Sequence, residues 1–318
     1  MLRLTFQPYQ RRFKRTLKTH HGLWSQREGI LLQLTDSQDN QGEGEIAPLP
    51  WFGSETLEEA LYFCRHLPDR FSIDELRAIP AQLPACQFGF GCALKELHQS
   101  STTTLPLPSS EPLPSSEQTP LTYSALLPTG AAALTDWIPL WQTGYRTFKW
   151  KIGVSDSSIE QKLCRELRHE LPASARLRLD ANGGLNLETA QQWLALCDEP
   201  KPGTELKTIE YLEQPLLQLD DMLALNEQYT TPIALDESVA TLNQLVDCYQ
   251  RGWRGIFVIK PAIAGDPEQL RQFCLTHSLD TVFSSVFETD VGRRACLQLA
   301  QELSTRAVGF GVDHWFAK

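Results

Sequence analysis

Thr147-Phe148-Lys149-Trp150-Lys151-Ile152 sets two lysines against three bulky apolar residues with a period of two. On an extended strand Phe148, Trp150 and Ile152 share one face, and Lys149 and Lys151 share the other. Where helices cover the outer face of a barrel, charged residues within a strand must point inward or stand at its end. The stretch therefore reads as a barrel stave that carries both ammonium groups into the interior.

The surrounding sequence repeats the pattern. Short β-like runs occur near Thr122–Leu127, Arg146–Ile152, Ala175–Leu179, Ile209–Leu212, Ile233–Leu235, Gly255–Ile259, Thr281–Ser284 and Val308–Gly311. Between them lie helix-like stretches such as Ser157–Leu171, Leu187–Cys197, Leu242–Arg251, Pro267–Thr276 and Gly292–Leu303. Eight strands in βα alternation predict an α/β fold of the (β/α)8 TIM-barrel type over residues 121–318. An open, doubly wound sheet is the alternative, because local patterns do not show closure. The first βα turn, Pro128-Thr129-Gly130-Ala131, lacks the glycine-rich phosphate loop of many such sheets.

Upstream, Gly29–Leu34 alternates like a strand, and Thr56–Leu67 and Ser72–Ile79 read as helices. Strands first and helices afterwards predict an α+β domain over residues 1–99. A Pro/Ser/Thr-rich run from 100 to 120, without periodicity, reads as the linker between the two units.

Composition narrows the function classes. With 42% hydrophobic and 21% charged residues the chain is globular rather than disordered. Its 29 basic against 39 acidic residues give a net charge of −10, which repels phosphate backbones and anionic lipid. The one basic run, Arg11, Arg12, Lys14, Arg15 and Lys18, reads as a solvated strand and loop, so no nucleic-acid partner is expected. The N-terminus lacks the apolar core of a secretion signal, and no stretch reaches the roughly 18 apolar residues of a membrane span. A cytoplasmic protein, without membrane insertion and either a monomer or a small homo-oligomer, is expected. Eight cysteines without a CxxC pair or zinc spacing read as reduced, mostly buried thiols.

Four further strands end on an ionisable group. They are Arg178-Leu179-Asp180-Ala181-Asn182, Tyr211-Leu212-Glu213-Gln214-Pro215, Ala234-Leu235-Asp236-Glu237-Ser238 and Val258-Ile259-Lys260-Pro261. Intervals of 29, 33, 23 and 24 residues from Lys151 onward each fit one βα unit, so five successive strands deliver charge to the C-terminal mouth, where barrel enzymes place their chemistry. A single acidic strand end is ordinarily a helix cap or a turn residue. Three at one mouth repel one another unless a cation lies between them. Oxygen ligands without His or Cys favour Mg2+, with Mn2+ as a substitute. A metal and the neighbouring Lys149 charge would both favour a neutral Lys151 able to act as a base, with Lys260 across the barrel.

In order, Lys149-x-Lys151, Asp180-Ala181-Asn182, Glu213-Gln214-Pro215, Asp236-Glu237-Ser238 and Val258-Ile259-Lys260-Pro261 resemble the barrel motifs of the muconate-lactonising branch of the enolase superfamily. The segment 44–60, Gly-Glu-Ile-Ala-Pro-Leu-Pro-Trp-Phe-Gly-Ser-Glu-Thr-Leu-Glu-Glu-Ala, resembles the cap-domain signature of the o-succinylbenzoate synthase family. The resemblance spans nearly the whole chain. It implies a modified barrel, (β/α)7β, with an α+β capping domain and a C-terminal tail returning toward the cap. It implies Mg2+ on Asp180, Glu213 and Asp236, proton abstraction by Lys151, and Lys260 on the opposite face of the intermediate. The implied substrate is a small carboxylate, 2-succinyl-6-hydroxy-2,4-cyclohexadiene-1-carboxylate, dehydrated through a metal-stabilised enediolate in menaquinone and phylloquinone synthesis.

Asn182, Arg178, Ser284 and Ser285 are further candidates for substrate contact, as is the loop around His21-Gly22; His20 and His21 read more simply as exposed loop histidines. Two features depart from the pattern. The 100–120 run is longer than the usual connection, and Gly309-Phe310-Gly311-Val312-Asp313 lacks the Asp-x-Asp pair of dipeptide epimerases. The alternatives are an N-succinylamino acid racemase or dipeptide epimerase, a Schiff-base aldolase on a strand lysine, and a non-catalytic binding protein.

Overall fold

The period-two stretches fold as the strands they imply. A computed structural model describes residues 1–19, 22–102, 120–200, 208–311 and 316 of the chain. The 103–119 part of the Pro/Ser-rich run, His20, His21 and Asp313 lie outside the described residues.

Strands β1 (Arg3–Thr19), β2 (Gly22–Thr35) and β3 (Gln41–Ile46) form an antiparallel sheet in chain order. Helices α1 (Leu57–His66), α2 (Ile73–Arg77) and α3 (Pro84–Thr102) follow, which is the α+β order expected, with the last helix running past residue 99. Thr56 with Glu59 and Ser72 with Glu75 form capping boxes that start the first two helices. β3 and α3 lie almost backbone to backbone. A Cβ on Gly44 would stand 2.1 Å from the Gly89 carbonyl oxygen, so only glycine permits that approach.

The second unit alternates β4 (Ser124–Leu126), α4 (Ala133–Gln142), β5 (Thr147–Lys151), α5 (Ser157–Glu170), β6 (Arg176–Asp180), α6 (Leu187–Asp198), β7 (Ile209–Glu213), α7 (Leu219–Gln228), β8 (Ile233–Leu235) and α8 (Leu242–Gln250). It ends with β9 (Ile256–Ile259), α9 (Pro261–Ala264), α10 (Pro267–His277), β10 (Thr281–Phe283) and α11 (Asp290–Leu303). The seven strands are parallel and adjacent in chain order. The eighth stave is reduced to a bridging segment: Val308 pairs with Tyr123 on one edge and Gly309 with Ser284 on the other. Those pairings close the sheet and remove the open, doubly wound alternative. The fold is a TIM-type barrel, with seven regular strands among the described residues.

Parity sorts the side chains as expected. Phe148, Trp150, Leu177, Leu179, Leu212, Phe257 and Phe283 are buried in the large core beneath the helices. Tyr211, Ala234, Ile256, Val258 and Val282 form a second, smaller core. These five share strand parity with Glu213, Asp236, Lys260 and Ser284, which identifies the smaller cluster as the packed barrel interior beneath the mouth. The eight cysteines are all free, and seven are buried. No helix among the described residues is long and apolar enough to cross a membrane.

The cap sits on the barrel. Phe13 of β1 bridges to Phe316 and stacks on it at 5.0 Å between ring centroids. Phe13 and Trp24 also meet Phe287, beyond β10, edge to face at 5.3 Å each.

Candidate active site

Parallel registry carries the strand ends to one level. Lys151 pairs with Asp180, and Asp180 with Glu213, while Asp236 and Lys260 follow directly on β8 and β9. In a ring of eight staves β9 stands four positions from β5, so Lys151 and Lys260 approach the mouth from opposite walls.

Lys149 Nζ lies 2.8 Å from Asp180 Oδ2 and 2.6 Å from Glu213 Oε1. Lys260 Nζ is ion-paired with Asp236 Oδ1. Burial alone would depress the Lys149 ammonium, but Asp180, Glu213 and Asp236 outweigh it and hold its pKa well above the usual lysine range. Its charge is thus shared with two carboxylates. Glu213 is shifted upward, by burial first and then by Asp180. Burial and the Asp236 charge push Glu237 up to about 7.

Among the described residues no three ligating groups are drawn into one ion cage, because the lysines stand between the carboxylates. The donor set nevertheless fits a hard divalent cation. Three acidic side chains converge, none accompanied by His or Cys, and the fully buried Glu213 Oε2 has no hydrogen-bond partner. An unpartnered buried carboxylate oxygen is costly in a finished fold, and a bound divalent cation would complete it.

The turns after the acidic residues are held by contacts that spacing did not announce. Asn182 and Gln214 adopt left-handed φ values of 45° and 36°. Such strain in non-glycine residues concentrates at functional sites. Asn182 donates its backbone N–H to Asp180 Oδ1 at 3.1 Å and its side-chain amide to Glu237 Oε1 at 3.0 Å. The Gln214 amide is buried; it accepts from the Asp236 N–H at 2.9 Å and donates to Ser238 Oγ at 2.7 Å. Gln214 therefore ties the β7 turn to the β8 turn and fixes the spacing of Glu213 and Asp236. From the cap, the Phe52 ring covers Lys260, with Nζ 3.9 Å from its centroid.

The structure does not bring Arg178 to the mouth. It shares parity with Asp180 but lies a layer deeper, 1% exposed, donating to Glu210 Oε2 and the Ala307 carbonyl at 2.7 Å each. The β6–β7 register shifts between Leu177 and Arg178, which places Glu210 as the extra, bulged residue that reaches this arginine. Arg306 joins Glu210 to Asp280 below it. Arg178 thus plugs the barrel floor, a role for which its sequence context gave no signal. Arg178→Leu is expected to lower unfolding free energy by about 3 kcal/mol while leaving divalent-cation affinity unchanged, because Glu210 loses a buried partner. Denaturant midpoints and calorimetry would check both halves; an unaltered midpoint would sink the assignment. Ser284 and Ser285 do reach the mouth, at the end of β10, and Ser284 Oγ is buried without a hydrogen-bond partner among the described residues.

Both units match known protein families. Residues 135–314 match the family model for the enolase C-terminal domain-like fold, and residues 8–97 match that for the MenC N-terminal domain. The chain is 40% identical to o-succinylbenzoate synthase of Thermosynechococcus vestitus, over 99% of this chain and 94% of that one. It is 29% identical to the o-succinylbenzoate synthase of an Enterobacter species, over 90% and 83%. A crystal structure of the Thermosynechococcus elongatus synthase with Mg in the active site superposes with a TM-score of 0.86, at 40% identity and covering 99% and 94% of the two chains. The L-Ala-D/L-Glu epimerase of Bacillus subtilis, at 21% identity and a TM-score of 0.76 over 99% and 91%, shares the fold. The chain belongs to the o-succinylbenzoate synthase family of the enolase superfamily.

Proposed function

We propose that the chain dehydrates 2-succinyl-6-hydroxy-2,4-cyclohexadiene-1-carboxylate to o-succinylbenzoate, with Lys151 as the proton-transferring residue. The observation that carries this reading is identity to the synthase that runs through cap and barrel alike, over 99% of the chain. Asp180, Glu213 and Asp236 would hold Mg2+, for which Mn2+ is a substitute, and the ion supplies Lewis acidity toward the carboxylate whose α-carbon loses its proton.

A carbon acid beside a carboxylate is very weak, so the chain must offset the second negative charge that develops on it. Lys151, as the neutral amine, takes the proton and breaks the C–H bond; the electron pair moves onto the carboxylate. The pair then returns to form the ring double bond as the C–O bond to the hydroxyl breaks. The Lys151 ammonium gives its proton to the departing hydroxide, which leaves as water, and the ring becomes aromatic. One lysine is base and then acid. Lys260, held on the other wall by Asp236 and Phe52, offers a fixed positive charge to the opposite face. Lys149 keeps Asp180 and Glu213 together.

Purified, Mg2+-loaded protein should form o-succinylbenzoate from this substrate at a rate comparable to a known synthase. No product under conditions where that synthase turns over would end the reading. The two lysines on opposite walls also suit racemisation of N-succinyl amino acids, and rapid entry of solvent deuterium at their α-carbon would favour that activity. Loss of turnover with EDTA, and no trapping by borohydride, separate both from a Schiff-base aldolase.

A further inference from the structure

Cap and barrel meet at a buried carboxylate that takes no part in the chemistry above. Glu45 of β3 is 1% exposed and reaches the N-terminus of α11. It accepts from the backbone N–H groups of Thr289 and Gly292 at 2.9 Å each and from Thr289 Oγ1 at 2.5 Å. Tyr9 Oη of β1 donates to the same carboxylate. The first N–H groups of a helix have no partner within it, so an anion from another domain is well placed there. Gly292 makes room for it, since a Cβ at that position would stand 2.8 Å from Glu45 Oε2.

The helix so capped begins where the mouth segment Ser284–Thr289 ends. Within that segment Ser285 Oγ donates to Glu288 at 2.9 Å and the Val286 N–H donates to it at 2.8 Å. Phe287 holds a left-handed φ of 64°, with its ring against Phe13 and Trp24 of the cap. Ser284 shares inward parity with Val282, and its Oγ is a buried hydroxyl without a hydrogen-bond partner among the described residues. Such a group is costly unless a ligand or water completes it.

We propose that Glu45 is a positioning residue: by capping α11 from the cap domain it fixes the Ser284–Thr289 segment, and with it the Ser284 hydroxyl already named among the substrate-contact candidates. The inference rests on the dehydratase reading only for the choice of substrate, and one of its two readouts does not use the reaction.

The test compares full-length, Mg2+-loaded wild type with Glu45→Ala, Gly292→Ala, Ser284→Ala and the Glu45→Ala/Ser284→Ala double variant. Glu45→Ala and Gly292→Ala disturb the contact from opposite sides. Each should speed amide exchange at 285–292 by about tenfold and raise KM by about tenfold, with kcat held within about threefold. The double variant should be no worse than Ser284→Ala alone, because both act on one contact. Should Glu45→Ala not fold, Glu45→Gln keeps the shape and gives the same pattern at smaller amplitude. Unchanged exchange at 285–292, or KM effects that simply add, overturns the proposal. If the wild type fails to turn over the substrate, the dehydratase reading falls, and faster or unchanged exchange still decides whether Glu45 fixes the segment.

Discussion

Lys151→Ala is expected to lower turnover by at least about 10³-fold while Mg2+ affinity stays within about threefold of wild type. The two effects separate because of where the residue stands. Lys151 ends β5 beside Asp180, but the contacts that bind the acidic groups together belong to Lys149 and Lys260. Removing Lys151 takes away the proposed proton acceptor and leaves the carboxylates with their partners. Lys260 cannot replace it, because it faces the other side of the ring. Turnover within about tenfold of wild type would refute the base assignment. Calorimetric titration with Mg2+, run beside the assay, guards against a merely misfolded protein.

Glu213→Gln should act on the complementary half of the site. Glu213 is fully buried and has one oxygen on Lys149 and one without a hydrogen-bond partner among the described residues. The amide keeps the shape and removes the charge. Divalent-cation affinity is expected to fall at least about 100-fold, and activity at moderate Mg2+ with it. Lys149 retains Asp180 at 2.8 Å, so the fold should persist. The measurement is Mn2+ binding followed by electron paramagnetic resonance, which needs no turnover. Affinity within about fivefold of wild type would remove Glu213 from the ligand set.

Much of the site was legible because a strand has only two faces. The alternation at 147–152 told inward from outward, and four more strands ended on charge at intervals of one βα unit. The same rule misled at Arg178: parity placed it inside the barrel but not at what depth, and its partner Glu210 arrives through a bulge that no local pattern marks. Gln214 was visible only as part of a motif. Its bridge from β7 to Ser238 is a tertiary contact between residues separated by a whole helix. The cap signature was read as a mark of substrate, yet two of its acidic residues are helix caps. Glu45 serves α11, and Glu55 accepts from the Ala85 and Cys86 N–H groups at 3.0 and 2.7 Å at the start of α3. Within the same signature, Phe52 is the residue that touches Lys260. Ring closure was also beyond local reading, since it depends on a two-residue bridging segment too short to show a period.

The stacking of Phe13 on Phe316 joins a strand near the start of the sequence to a residue near its far end. Contacts of such sequence separation form late, because loop-closure entropy opposes them until most of the chain is already ordered. β1 and β2 can zip together early as a hairpin, and each βα unit can dock on the one before it. The aromatic seat between the two units has to wait until Phe316 itself has been synthesised. Until then Phe13 and Phe287 each lack a ring partner, so the seam between cap and barrel stays incomplete although every ionisable group of the mouth is already in the chain.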